Sequence, residues 1–183
     1  KIKKITRKNI DFSFASRYDD VIPIEIPFVA EYQVMNMALA YQALMLLVPR
    51  FSLAREKILL ALRTVRWAGR MQQVCPEVYF DGAHNTAGIE EFLKTVRQIG
   101  GKKPLLLFSM VKEKDYAAVV RMLSRTDWGG IVVTHIPDAR GLSVAALQEE
   151  FEKNGKETVG INDCRAAYDG VMQKKEPGQT VFC

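Results

Sequence analysis

The sequence predicts an α/β protein with a mostly parallel sheet and helices on both faces, preceded by a smaller part of different character. Three observations carry this. From about residue 74 onward, apolar strand-like runs alternate strictly with amphipathic helix-like runs, the rhythm of βαβ units. Two of those runs, Leu105–Phe108 and Ile131–Val133, are apolar at every position, as parallel strands covered on both faces are. Residues 80–88, Phe-Asp-Gly-Ala-His-Asn-Thr-Ala-Gly, end an apolar run with a carboxylate, turn through Gly and Ala, and open a helix.

The first part alternates differently. Ile10-Asp11-Phe12-Ser13-Phe14 and Val21-Ile22-Pro23-Ile24-Glu25-Ile26 read as half-buried antiparallel strands. The basic run Lys1-Ile2-Lys3-Lys4, with Arg7 and Lys8, reads as a solvated strand face or a frayed end. Residues 33–48 form a helix with Val34, Met37, Ala38, Tyr41, Leu44, Met45 and Val48 on one face, stopped by Pro49. Ser52 stands where it would cap a second helix to about Val65, with Ile58, Leu59, Leu62 and Val65 inward. Arg66-Trp67-Ala68-Gly69-Arg70 breaks the pattern and reads as a linker.

Beyond it, strands are expected at 77–81, 104–109, 130–135, 157–161 and 179–183, and helices at 87–99, 115–125, 143–154 and 163–174. Gly100-Gly101 closes the first of these helices, and Ser143 and Asp163 stand at N-cap positions. Right-handed crossovers then make residues 74–183 a Rossmann-like domain.

The chain has 183 residues, 48% of them hydrophobic, enough for a globular core. Its net charge of +5 mildly favours anionic ligands. The basic residues are scattered, without an aromatic-interleaved stripe, which argues against nucleic acid. The three cysteines, Cys75, Cys164 and Cys183, fit neither a zinc site nor a disulfide framework, so reduced thiols and a cytoplasmic location are expected. The longest apolar run, near Met37–Val48, reads as short of the roughly 20 residues a bilayer demands. No secretory signal pattern opens the chain, and no membrane partner is expected. The first residue is Lys, and Gln179–Cys183 reads as a strand with nothing after it; both ends are expected to be cuts in a longer protein.

Chemistry concentrates after the run Glu77–Phe80. Asp81 sits where a carboxylate commonly accepts from ribose hydroxyls at a strand's carboxyl end; capping the next helix suits it equally. His84 and Asn85 follow beside a helix N-terminus, whose free N–H groups and dipole attract anions. The glycines do not form G-x-G-x-x-G. Arg70 has the fixed charge and fork suited to phosphate, though taken alone it reads more readily as a surface arginine. Lys112 and Lys114 lie in the loop after the next strand, placed for a carboxylate or phosphate, with Asp115 suited to capping. His135 reads as structural. No Cys/His/carboxylate set has metal-ligand spacing.

Asp81-Gly82-Ala83-His84-Asn85 resembles the D-G-A-H-N-P motif of the folylpolyglutamate synthase and dihydrofolate synthase family of the Mur ligase superfamily. Trp67-Ala68-Gly69-Arg70 resembles the family's W-P-G-R linker, Glu113-Lys114-Asp115 its D-K-D, and Tyr32-Gln33 with Asn36 its H-Q-x-x-N. The resemblance implies an ATP-dependent amide ligase that adds L-glutamate to folate, or to dihydropteroate in dihydrofolate synthases, through an acyl phosphate. It implies residues 1–65 as the tail of a central ATPase domain and 66–183 as the C-terminal, glutamate-ligase domain. Asp81 would contact the ATP ribose, Arg70 the phosphates, His84 and Asn85 the phosphate and glutamate, and Lys112 or Lys114 a glutamate carboxylate. His84 is also the expected catalytic residue. Mg2+ would be held mainly by the ATPase domain.

This sequence departs from the pattern at Thr86, Ala68, Tyr32 and Glu113, which stand where the family has Pro, Pro, His and Asp. No G-x-x-x-x-G-K-[ST] phosphate loop occurs, so the chain by itself is expected not to turn over ATP. Competing readings are a peptidoglycan-precursor Mur ligase, a free-standing Rossmann-type nucleotide-binding module, and an interaction domain without a ligand.

Overall fold

A computed structural model describes all 183 residues and divides them into two compact units, Lys1–Arg70 and Met71–Cys183. The division falls at the end of the segment read as a linker.

In the first unit, β1 (Ile2–Ile5), β2 (Ile10–Phe14) and β3 (Ile22–Ile26) form an antiparallel sheet in the order β1-β2-β3. Alternation sets its two faces: Ile22, Ile24 and Ile26 are buried, while Pro23 and Glu25 are exposed. The lysines of β1, Lys3 and Lys4, are solvated. Two helices, α1 (Tyr32–Phe51) and α2 (Arg55–Thr64), cover the apolar face through Met37, Tyr41, Ile58 and Leu62. Tyr41 is fully buried. Its hydroxyl donates to the Asp19 carboxylate and accepts from Arg55 Nε at 3.3 Å, while Arg55 pairs with Asp19. Burial, then the Asp19 carboxylate, raises the Tyr41 phenol above its ordinary 10.0.

Three expectations fail here. Pro49 does not stop α1. It withholds one amide donor, but Arg50 and Phe51 still add to the helix, and the stop comes at Ser52, left-handed at φ 49°. Ser52 therefore ends α1 instead of capping α2, whose N-cap is Ala54 with no side-chain bond. With those added residues α1 reaches 20 residues and is long and apolar enough, by length and composition, to cross a membrane; the argument from a short run does not hold. One face of α1 is committed to this unit's core, and the other presents Met35, Leu39 and Leu46.

The second unit is a six-stranded sheet, β4 (Gln72–Cys75), β5 (Val78–Phe80), β6 (Leu105–Phe108), β7 (Gly130–Thr134), β8 (Val159–Ile161) and β9 (Val181–Phe182), in the order β4-β5-β9-β6-β7-β8. All pairs are parallel except β4 with β5. Between the strands run α3 (Thr86–Ile99), α4 (Tyr116–Leu123), α5 (Val144–Lys153) and α6 (Cys164–Lys174). The sheet is apolar on both faces because helices cover both. Leu105, Leu107, Val132 and Val181 pack on Ala167 and Val171 of α6. The alternate residues face the other way: Phe182 meets Phe92 of α3 at 5.8 Å, and Phe108 meets Phe151 of α5 at 5.9 Å. Progress from β5 outward to β8 puts α3 and α5 on one face, and the return to β9 puts α6 on the opposite one, as right-handed crossovers require.

β4 has no counterpart among the expected strands. Gln72-Gln73-Val74-Cys75 is an edge strand with mixed burial, so it carries none of the apolar continuity that marks its neighbours.

Candidate functional site

β5 ends at Phe80, and the next residue closes the rim. The Asp81 N–H donates to the Cys183 carbonyl at 2.9 Å, tying the end of β5 to that of β9. Its carboxylate turns back onto the main chain. Oδ1 accepts the Ala83 N–H at 2.8 Å, and Oδ2 accepts the Met71 N–H at 2.8 Å. The first bond makes an Asx turn; the second holds a residue in the left-handed region, Met71 at φ 44°.

Asp81 is not the cap of α3. Asn85 is: extended at φ −140°, it accepts the Gly88 N–H on Oδ1 at 2.8 Å. Gly88 leaves room for this, since a Cβ there would lie 3.2 Å from Asn85 Oδ1 and 3.3 Å from the Ala83 Cβ. Only the oxygen of Asn85 is used by the cap. Thr86, where the family has proline, is the first residue of α3, a position proline also favours.

His84 is exposed. Its Nδ1 lies 3.0 Å from the Gly82 carbonyl. A carbonyl only accepts, so Nδ1 carries the proton and Nε2 is left to receive one or, once protonated, to face an anion. Asp81, His84 and Asn85 thus occupy one tight turn at the carboxyl end of β5, each fixed by its own backbone bond, beside the N-terminus of α3.

The loop after β6 holds the two lysines. Asp115 caps α4, accepting the Ala118 N–H at 3.0 Å, the structural role open to it. Lys112 donates from Nζ to the Ala139 carbonyl at 3.0 Å; Lys114 is exposed. β9 lies between β5 and β6, so the lysine loop and the Asp81 turn share a rim with one strand end between them. Arg70 is the last residue of the first unit, half-buried, preceding Met71. His135, as expected, is structural: its Nδ1 lies 3.0 Å from the Leu142 carbonyl.

Sequence reasoning missed two features of this rim. Asp138 and Arg140 pair at 3.0 Å, and the side-chain and backbone bonds from Arg140 hold the Asp138 carboxyl down at about 2. Ser109, just past β6, has a buried hydroxyl without a partner. Neither has a motif; a short D-x-R spacing was the one legible hint of the first. No group of three or more His, Cys, Asp or Glu side chains gathers to hold a metal ion.

The chain is similar to known proteins. The family described as Mur ligase, glutamate ligase domain, matches residues 69–183. The folylpolyglutamate synthase of Lacticaseibacillus casei is 26% identical over 117 residues, covering 62% of this chain and 27% of that protein. A Mycobacterium tuberculosis folylpolyglutamate synthase complexed with ADP superposes with TM-score 0.81 at 21% identity, over 100% of this chain and 43% of that one. A bifunctional folylpolyglutamate synthase/dihydrofolate synthase from Yersinia pestis, complexed with AMPPNP and Mn ion, gives TM-score 0.61 at 21% identity, over 71% of this chain and 31% of that one. The chain therefore spans less than half the length of these relatives.

Proposed function

Because the chain belongs to the Mur ligase family, carrying its glutamate ligase domain over residues 69–183, we propose that it is the C-terminal part of an ATP-dependent folate–glutamate ligase of the cytoplasm. Residues 1–65 belong, on this reading, to the tail of its ATPase domain. The observation that carries the reading is the Asp81–Asn85 turn, held by backbone bonds at the carboxyl end of β5 and the N-terminus of α3. Such a turn gathers a carboxylate, an imidazole and an amide where an anionic ligand is favoured.

The residues divide the work as follows. Asp81, oriented by the Met71 and Ala83 amides, accepts from the ribose of ATP. Nε2 of His84 and the NH2 of Asn85 meet the phosphoryl group being transferred and the incoming glutamate. Lys112 or Lys114, in the loop after β6, receives a glutamate carboxylate. Arg70 engages phosphate when the ATPase domain closes. Closure excludes water, which protects an acyl phosphate from hydrolysis, and positioned cations answer its charge. The amine of glutamate then attacks the acyl carbon and phosphate leaves. Magnesium would be held mainly by residues of the ATPase domain.

A further observation supports a covering domain: α1 presents Met35, Leu39 and Leu46 outward, an apolar stripe suited to burial. The test is glutamate-dependent phosphate release from Mg-ATP, with tetrahydrofolate or dihydropteroate as acceptor. It compares the 183-residue chain with the polypeptide joined to an upstream ATPase domain. Turnover by the joined polypeptide alone is expected, and the acceptor used tells one activity from two. No turnover by it on either acceptor would refute the reading, and turnover by the chain alone would refute the need for a partner domain.

A further inference from the structure

The loops after β6 and β7 do not run separately. Val111 and Gly141 form an antiparallel bridge beyond the ends of their parallel strands. The Lys112 N–H donates to the Arg140 carbonyl and the Leu142 N–H to the Met110 carbonyl, each at 2.8 Å. The Lys112 ammonium donates to the next carbonyl along, Ala139, at 3.0 Å. Backbone and side chain of one residue thus grip two consecutive peptide groups. The far loop is stiffened from within: Gly141 N–H donates to the Asp138 carbonyl at 2.9 Å, and Arg140 N–H to Asp138 Oδ1 at 2.8 Å. His135 closes it from below against Leu142. Gly141 has to be glycine for that closure, since a Cβ there would lie 2.7 Å from His135 Cε1 and 2.7 Å from the Ile136 carbonyl.

We propose that Lys112 is a positioning residue, a strut that locks the β6–α4 and β7–α5 loops into one shelf, and that Lys114 is the lysine of this rim that meets the ligand. The ligase role of the shelf rests on the function proposed above; the strut itself does not. A rim lysine that binds substrate keeps its ammonium free until the ligand arrives, and the Lys112 ammonium is already engaged on a neighbouring loop. Two residues further on, Lys114 has no such engagement and sits directly before the capped N-terminus of α4.

Amide hydrogen exchange on the 183-residue chain tests the strut. Lys112→Met is expected to speed exchange at the Lys112 and Leu142 amides by roughly three- to tenfold, the range one hydrogen bond commands. Exchange at Val132 and Val133 is expected to stay unchanged. Lys112→Arg, which keeps donors of similar reach, is expected to restore protection, and Lys114→Met to leave it untouched. In the ligase assay of the joined polypeptide, Lys112→Met is expected to raise KM for glutamate with KM for ATP unchanged, and Lys112→Arg to rescue it. Unaltered exchange in Lys112→Met would overturn the strut. An assay in which Lys112→Arg is as impaired as Lys112→Met would instead put the ammonium on the ligand. If the joined polypeptide turns over nothing, the ligase reading fails, and the exchange arm still decides the strut.

Discussion

The Asp81 carboxylate holds the Met71 amide at 2.8 Å, across ten residues of sequence. This bond sets the entry of the chain into the second unit at a left-handed residue, and it fixes the orientation of the carboxylate proposed for ribose. Replacing Asp81 therefore removes a structural bond together with the proposed ligand contact. Asp81→Ala is expected to cost about 1.5–3 kcal/mol in urea unfolding, the usual worth of hydrogen bonds to a charged group. Asp81→Asn, which keeps an acceptor oxygen, is expected to cost less. Equal stability of all three proteins would show that the Met71 and Ala83 bonds carry no weight.

His84 separates the two roles. It is exposed, and its one bond, to Gly82, is local. His84→Ala is expected to leave the melting temperature within the small range typical of surface changes. Turnover of the joined polypeptide should fall roughly 10²–10³-fold, as for loss of one positioned donor at a reacting phosphoryl or acyl group. A variant with full turnover would remove His84 from the chemistry.

Asn85 and Gly88 form a coupled pair. Asn85→Ala is expected to lose about 1 kcal/mol through the lost cap of α3, with Asn85→Asp close to the parent protein. Gly88→Ala pushes a methyl to 3.2 Å from Asn85 Oδ1 and is expected to weaken the same cap. A double-mutant cycle reads the coupling: the two losses should fall short of additive, and strict additivity would show that Gly88 acts elsewhere.

Tyr41 gives the first unit an alkaline limit. Its folded phenol pKa lies above the ordinary 10.0 through burial and the Asp19 carboxylate. A raised folded value means that the stabilisation is complete below the unfolded pKa and is lost as pH climbs through the folded one. Tyr41→Phe is expected to cost about 1.5–3 kcal/mol at pH near 7 and to flatten the loss of stability above pH 10. Unfolding curves with the same alkaline slope in both proteins would contradict this.

The rhythm of the second unit was legible because its helices bury apolar faces, wide in α3 and narrow in α6, and the runs Leu105–Phe108 and Ile131–Val133 are apolar throughout. Local side-chain chemistry announced the Ser143 and Asp163 caps, both of which bind an amide three residues on. What escaped reading were features whose signal lies in a distant partner. β4 is strand-like only because β5 pairs with it. Pro49 and Ser52 mark a helix end correctly to within a few residues, but which of them stops α1 depends on the turn that α2 demands. The split of duties between Asp81 and Asn85 was open, since either could cap a helix; the Met71 amide, drawn in by the fold, takes the Asp81 oxygen that a cap would have used.

By itself the sequence determined the types and order of the elements other than β4, the apolar faces, and the Asp81–Asn85 turn, because these follow from neighbours within a few residues. Only the tertiary structure decided that β9, the last strand in sequence, slots between β5 and β6. It alone brought Asp81 to Met71 and Lys112 to Ala139. Those contacts join segments that no local periodicity relates, and they form only once crossovers and sheet packing have set each strand end against its neighbour.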